Sequence, residues 1–303
     1  MAADVGVDVD LLKREIRKTY ASVSQEPERD FIFPTGRAWA EDLGYPAAEL
    51  ARVPEAAVES FAGVANYVAL AKDEVYQQSL VNTANYALGS VPLSMLLGLG
   101  MALLVNQKVR GVTLFRAIFF LPVVTSSIAI GLVWAWLFSS YNGLINGMLG
   151  LVGVPPIPWL GSVTWALPAV IIVSIWYRVG HDMVLFLAGL QGIPEQLYEA
   201  AKIDGATSWQ QFRHVTLPLL SPTTFFILII SVIGSFQVFN IIYVMTKGGP
   251  GYATSVYIFY LYQTAFNHFK MGYGSAMAFV LFLLLAGLTI FQWRVASRWV
   301  FYK

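Results

Sequence analysis

EQLYEAAKIDGATSWQQFRHVTLPLLSP, residues 195–222, decides how the rest of this chain is read. It is a polar island between two apolar runs, 165–190 and 223–246. Each run reaches the roughly 20 residues that a helix needs to cross a bilayer. Pro194 suits a first helical turn, where its missing N–H costs nothing, and Glu195 sits beside the positive end of the helix dipole. Ala200 and Ala201 leave a small-residue surface that a partner can approach closely. Asp204-Gly205 ends the helix, because Gly tolerates the left-handed conformation of a C-terminal cap. Thr207 or Ser208 then caps a second helix, with Gln210 or Gln211 three residues on to complete a capping box. Pro218 and Pro222 mark the turn back into the membrane. The spacing therefore predicts a short, rigid helix–turn–helix strut between two spans.

Composition points to the same class of protein. The chain is 57% hydrophobic and 12% charged, about half the charge of an average soluble domain, as a polytopic membrane protein would be. It has no Cys, which removes disulfides, thiol catalysis and Cys-ligated metals. Its three His (His181, His214, His268) match no metal-binding spacing. The formal net charge of +1 conceals a division: residues 1–80 hold 8 Lys/Arg against 14 Asp/Glu, and 81–303 hold 11 against 4. An acidic head and a basic membrane body are separate problems.

The fold class expected is all-α, a polytopic transmembrane bundle with five spans at 83–105, 117–138, 165–190, 223–246 and 274–293. Lys and Arg in the connecting loops set orientation. With alternating helices, Lys108, Arg110, Arg116, Lys202, Arg213, Arg294, Arg298 and Lys303 fall on one side, against Lys247 and Lys270 on the other. The strut and the C-terminus are then cytoplasmic, and 139–164 and 247–273 face outward. GVPPIPW (153–159) and KGGPG (247–251) read as structured turns. Tyr141, Trp159 and Trp165 are either interface anchors or ordinary packing residues.

The strut resembles the EAA loop by which ABC importer permeases dock on their ATPase. Its residues are Glu199-Ala200-Ala201, Asp204-Gly205, Val215 in the family's Ile place, and Leu217-Pro218, with every spacing kept. Further stretches resemble the maltose-type (carbohydrate uptake) permeases: FRAIFFLPVVTSSIAIGLVWAWLF (115–138), LFLAGLQGIPEQLYEAAKIDGA (185–206), SVIGSFQVFNIIYVMTKGGP (231–250) and MGYGSAMAFVLFLL (271–284). The resemblance spans about residues 60–303. It implies a permease subunit in a bacterial or archaeal cytoplasmic (inner) membrane, surrounded by lipid. The implied partners are a second permease, two ATP-binding subunits and an extracytoplasmic solute-binding protein. The implied cargo is a sugar or related polyol. ATP and Mg would sit on the ATPase subunits, and this chain has no phosphate-loop motif and no cofactor of its own. The residues carried over to ATPase coupling are Glu199, Ala200, Ala201, Asp204, Gly205, Leu217 and Pro218.

Polar residues inside spans mark a pathway or a pair. Arg178 and Asp182 stand four apart and either neutralise each other or, with His181, meet solute. Ser235, Gln237, Asn240 and Tyr243 offer hydroxyl and amide groups beside the aromatic faces of Phe236 and Phe239. These groups suit a sugar, and equally suit interhelical hydrogen bonds. The site candidates for substrate are thus Asp182, Ser235, Gln237, Asn240 and Tyr243. No catalytic constellation, metal site or nucleic-acid-binding stripe is legible.

Residues 1–66 are expected to form a soluble, acidic helical segment, and 67–303 the permease domain with its loop at 191–222. The family's first span is expected to be absent, and residues 1–30 lack the apolar core of a signal peptide. Residues 8–66 resemble the leader of arsenite-methyltransferase-like proteins. The alternative function is accordingly a non-functional or regulatory permease fragment fused to a methyltransferase-like leader.

Overall fold

The computed structural model describes residues 64–107 and 111–301, and every regular element among them is helical. Helix α1 (Val64–Lys72) leads through Asp73 into the long α2 (Glu74–Val105). Next come α3 (Val112–Val124), α4 (Ser127–Leu137), the short α5 (Leu144–Leu151) and α6 (Ala166–Gln191). The strut contains α7 (Glu195–Ile203) and α8 (Ser208–Gln211), and the chain continues into α9 (Leu217–Phe236). Helices α10 (Asn240–Met245), α11 (Tyr257–Tyr262) and α12 (Met271–Ala296) complete the body. The acidic segment 1–66, with its methyltransferase-like resemblance, lies outside the described residues except for Val64–Asn66, which open α1.

Four stretches are long and apolar enough to span outright: α2, α6, Ser208–Met245 and α12. The expected second span, 117–138, is not one rod, since α3 and α4 meet at a 97° bend. Pro122 removes one backbone donor inside α3, and Thr125 takes an extended conformation that ends it. The Thr125 hydroxyl donates to the Leu121 carbonyl (2.9 Å), which relieves the broken end. The pair still runs from one end of the bundle to the other. Arg116 near the start of α3 donates to the Val105 carbonyl at the end of α2 (2.9 Å). At the far end Phe138 meets Trp159 (5.3 Å), which in turn meets Trp165 at the start of α6 (5.4 Å). Counted as one broken span, the pair brings the crossings among the described residues to five.

The body is organised around α2 against α6. In lipid, helices gain nothing from shedding water, so close van der Waals approach through small residues holds them together. On α2 the buried residues Ser90, Ser94, Gly98 and Ala102 recur every fourth position and form one stripe. Ser90 and Ser94 donate to carbonyls within their own helix, so the stripe carries no unpaired hydroxyl. At Gly98 a Cβ would lie 2.7 Å from the Asp182 Cβ and 3.1 Å from the Met183 nitrogen. Below this seam Ala102, Met183, Phe186, Leu190, Leu220 and Ile227 form a core at the basic end. At the opposite end two cores join α4, α6 and α10 (Ile130, Val170, Ile242) and α2, α11 and α12 (Tyr76, Tyr257, Met277).

The loops at that opposite end are built structures. Buried Asn146 donates to the Ile157 carbonyl (2.9 Å), and its carbonyl accepts the Trp159 indole N–H (2.9 Å). Trp159 is therefore a packing residue, whereas Tyr141 is 96% exposed. Asp73 caps α2 through the Val75 and Tyr76 amides, and its other oxygen accepts from the Tyr260 (2.6 Å) and Tyr273 (2.7 Å) hydroxyls. Burial pushes the Asp73 carboxyl up, but those four hydrogen bonds outweigh burial and hold it below the ordinary carboxylate value.

Two expectations follow. Gly98→Leu should lose 1–3 kcal/mol or more, on the order expected for overpacking, with a lower thermal midpoint in detergent. Gly100→Ala, with open space around it, serves as the neutral control. A depressed Asp73 contributes stability that is full above the ordinary carboxylate range and is lost as pH falls through its folded value. Between pH 5 and pH 3 the parent's midpoint should therefore fall further than that of Asp73→Asn.

Candidate functional site

The elbow of the strut is fixed by the caps its sequence encodes. Helix α7 ends in a left-handed Gly205 (φ +78°), whose amide donates to the Lys202 carbonyl (3.0 Å). The Ala206 amide donates to Ala201 (2.9 Å), which completes a Schellman-type pair of bonds. Thr207 caps α8 in a capping box with Gln210. Pro194 lies at the N-cap of α7, one position ahead of the first turn expected for it.

Pro218 and Pro222 do not turn the chain back. The helix runs on from Ser208, through a π-helical turn at Phe212–Thr216, into α9. In that turn the Leu217 amide reaches back to the Phe212 carbonyl. The change of register thus falls where Pro218 has no N–H to give. One turn later Pro222 leaves the Pro218 carbonyl without its helical donor, and the Ser221 hydroxyl supplies one (2.6 Å). The Ser221 oxygen also accepts the Phe301 amide (3.0 Å) and ties down the C-terminal segment, where Trp299 packs edge-on to Phe225.

No residue of α7 is buried, although its sequence includes Leu197, Ala200, Ala201 and Ile203. It is fastened to the body through the Tyr198 hydroxyl, 3.0 Å from that of Thr216. Glu199, Ala200, Asp204, Gly205 and Leu217 are exposed, and Ala201 and Pro218 are half-buried. The structure adds two residues that sequence reasoning missed. Ile203 (87% exposed) and Trp209 (66% exposed) flank the elbow, with Trp209 packed on Phe212 (5.5 Å). An isoleucine at the end of an amphipathic helix reads as one more core residue until its surroundings are known. Ala201, Asp204, Gly205, Ala206, Gln211 and His214 help line a concavity of about 310 Å³ at this elbow. The elbow thus presents polar groups and an exposed apolar tip side by side.

The second feature lies where two spans are interrupted. Helix α9 stops at Phe236 and α10 starts at Asn240, so the expected span 223–246 is also broken. The Asn240 amide donates to the Ser127 hydroxyl at the start of α4 (2.9 Å), which joins the two breaks. Behind them Gly131 of α4 lets Val244 of α10 approach closely; a Cβ there would meet it at 3.3 Å. Gln237, Asn240 and Tyr243 are exposed at this break. Phe239 and Tyr243 stack at 5.4 Å, and Tyr262 crosses both rings, 4.9 and 6.1 Å away. Ser235 is not among the exposed groups: it is buried and donates to the Val232 carbonyl (2.7 Å). Asp182 is buried completely, behind Arg178 and His181. Ser127 and Tyr262 are further residues that the sequence did not single out.

Among the described residues, four or five spans, an interrupted-helix surface and a polar elbow place the chain among multi-pass membrane proteins. The chain belongs to the family of binding-protein-dependent transport system inner membrane components, whose pattern matches residues 94–300. It is 40% identical over 235 residues to the probable ABC transporter permease protein YesP of Bacillus subtilis, covering 76% of this chain and 75% of that one. It is 37% identical over 246 residues to the trehalose/maltose transport system permease protein MalF of Thermococcus litoralis, covering 80% and 81%. With the lactose transport system permease protein LacF of Rhizobium radiobacter it shares 36% identity over 244 residues, covering 78% and 82%. A chain of a bacterial alginate ABC transporter, solved with an alginate pentasaccharide-bound periplasmic protein, superposes with a TM-score of 0.73 over 95% of this chain and 96% of that one. At 23% identity that likeness is one of fold. The protein is thus a multi-pass inner-membrane permease subunit of an ABC transporter. These relatives lend no support to the methyltransferase-like reading of residues 8–66.

Thr207→Ala should unfasten α8 by about 1 kcal/mol, the usual worth of an N-cap. Amide exchange at Gln210 should then quicken by about fivefold, while exchange in α6 stays unchanged.

Proposed function

We propose that the chain forms half of the membrane pathway of an ATP-driven importer for a sugar or related polyol. Residues 195–218 couple it to an ATP-binding subunit. The observation that carries the reading is α7: a helix with an apolar content and no buried residue, rigidly capped at its elbow, is shaped for a partner. Glu199, Ala200, Ala201, Asp204, Gly205, Leu217 and Pro218 form or support the docking face, and Ile203 and Trp209 supply its apolar tip. The assembly has a second permease subunit, two ATP-binding subunits that hold ATP and Mg, and an extracytoplasmic solute-binding protein.

The solute class rests on the broken-helix site and on the carbohydrates for which relatives are named. Interrupted spans expose backbone and polar groups at membrane depth, where transporters bind cargo. Gln237, Asn240 and Tyr243 present two amides and a hydroxyl beside aromatic rings, a surface suited to a ring with an apolar face and a polar edge. Ser235, buried beside the end of α9, backs that surface, and Asp182 is a buried group of α6.

The test is reconstitution of the whole importer in liposomes. Glu199→Lys and Gly205→Pro should insert normally yet separate ATP hydrolysis from uptake. Normal uptake by both variants would remove the coupling assignment. Asn240→Ala should raise the half-saturating sugar concentration about tenfold or more. An assembled complex that moves no sugar at all would favour the regulatory-fragment alternative.

A further inference from the structure

We propose that Arg178 is a two-position latch between α6 and α9, seated on Ser231 in one state of the transport cycle and on Asp182 in the other. Asp182 motivates this. It is fully buried, and neither carboxylate oxygen has a hydrogen-bond partner. The nearest basic nitrogens are Arg178 Nη2 at 4.0 Å and His181 Nδ1 at 3.5 Å, both beyond a proper charge-assisted bond. A buried carboxylate left in that condition is costly, and each such group in a native structure calls for an explanation.

The missing partner is one helical turn away and engaged elsewhere. Arg178 Nη2 donates to the Ser231 hydroxyl of α9 (2.8 Å), while its Nε has no partner. Gly234 makes the room, since a Cβ there would stand 2.9 Å from Arg178 Nη1. Beside the guanidinium lies an open groove of about 370 Å³, lined by Val123, Tyr177, Arg178, His181 and Ile230. The side chain therefore has space to swing. Moving from Ser231 to Asp182 requires the guanidinium to close about 1 Å on the carboxylate, reaching the 2.7–2.9 Å typical of such pairs.

Ser231 rides on the helical run that starts at Ser208, directly beyond the elbow. Asp182 and Arg178 ride on α6, which is locked to α2 by the small-residue seam. A shift of α9 by 1–2 Å, on the order of interface helix movements, breaks the Ser231 bond and frees Arg178 for Asp182. A bond to a neutral hydroxyl is exchanged for one to a carboxylate, and the α9 shift that this requires offsets the gain. A force at the elbow therefore selects between the two positions. The latch rests on the coupling reading only for the origin of that force. Arg178 and Asp182 are thus positioning residues.

The chain has no Cys, so cysteines at Val184 on α6 and Phe226 on α9, both exposed, take nitroxide labels at those positions alone. The measurement is the distance distribution between the labels in the assembled importer in lipid nanodiscs, without sugar. Two populations are expected. Ser231→Ala should move their ratio about tenfold toward the Asp182-seated state, and Asp182→Asn should move it about tenfold the other way. The double variant should return near the parent. If both single variants move the ratio in the same direction, or not at all, while lowering thermal stability, Arg178 is a structural tie and the latch is refuted. An unmoved ratio with an altered half-saturating sugar concentration in Asp182→Asn would make Asp182 a solute group, and also refutes it. Normal uptake by Glu199→Lys alongside opposite shifts of the ratio leaves the latch standing and displaces only the coupling reading.

Discussion

The close contact of α2 with α6 along Ser90, Ser94, Gly98 and Ala102 is the constraint on which the rest of the structure depends. Water supplies no drive for two apolar helices to meet within lipid, so contact distance is what counts. Small residues at every fourth position give a continuous seam on one side of α2. The seam fixes α6 along much of its length, and α6 in turn sets three things. Its basic end aims the elbow, its middle buries Asp182 against Gly98, and Gly180 and Gly189 receive α3 and α9 at close range. Larger side chains in the seam would displace all three together.

Against that fixed pair stand the two interrupted spans. A break in a membrane helix leaves backbone groups that lipid cannot satisfy, so it persists only where protein or a wet cavity faces it. Here each break supports the other: the Asn240 amide bonds the Ser127 hydroxyl, and α10 lies on α4 across Gly131. The polar groups of the proposed cargo site are by-products of this arrangement. Gln237 and Asn240 are exposed where α9 ends at Phe236 and α10 begins.

The sequence was informative wherever a signal is local. Apolar length located four spans and the bent pair α3–α4, the Gly205 stop was legible, and the Thr207–Gln210 box was one of the two that the sequence offered. It was misleading wherever a residue's meaning depends on its neighbours. Hydropathy reports length and not direction, so the 97° bend between α3 and α4 could not be read from 117–138. Pro218 and Pro222 read as a turn because Pro opposes helix, yet a π turn and the Ser221 hydroxyl absorb both. Ser235 looked like Asn240 on paper, but one faces inward onto its own backbone and the other stands open. Ile203 and Ser231 carried no signal, since exposure of the first and contact of the second exist only in three dimensions.

The surroundings of those two prolines also bear on how the proposed coupling would travel from the elbow into the bundle. A proline with its orphan carbonyl unmet is a hinge, where a helix bends. With Ser221 bonded to the Pro218 carbonyl and to the Phe301 amide, the same place is braced from inside the helix and from the C-terminal segment. The π turn is braced as well, by the Tyr198–Thr216 contact with α7. Under the proposed coupling, a displacement of the elbow would be carried along α9 as far as its break at Gln237–Phe239, beyond Ser231 and beside the proposed cargo site. Stiffness below that point and discontinuity at it are complementary. A helix flexible at Pro222 would dissipate the movement before it reached Arg178, and one unbroken at residue 237 would have no exposed amide to offer a solute.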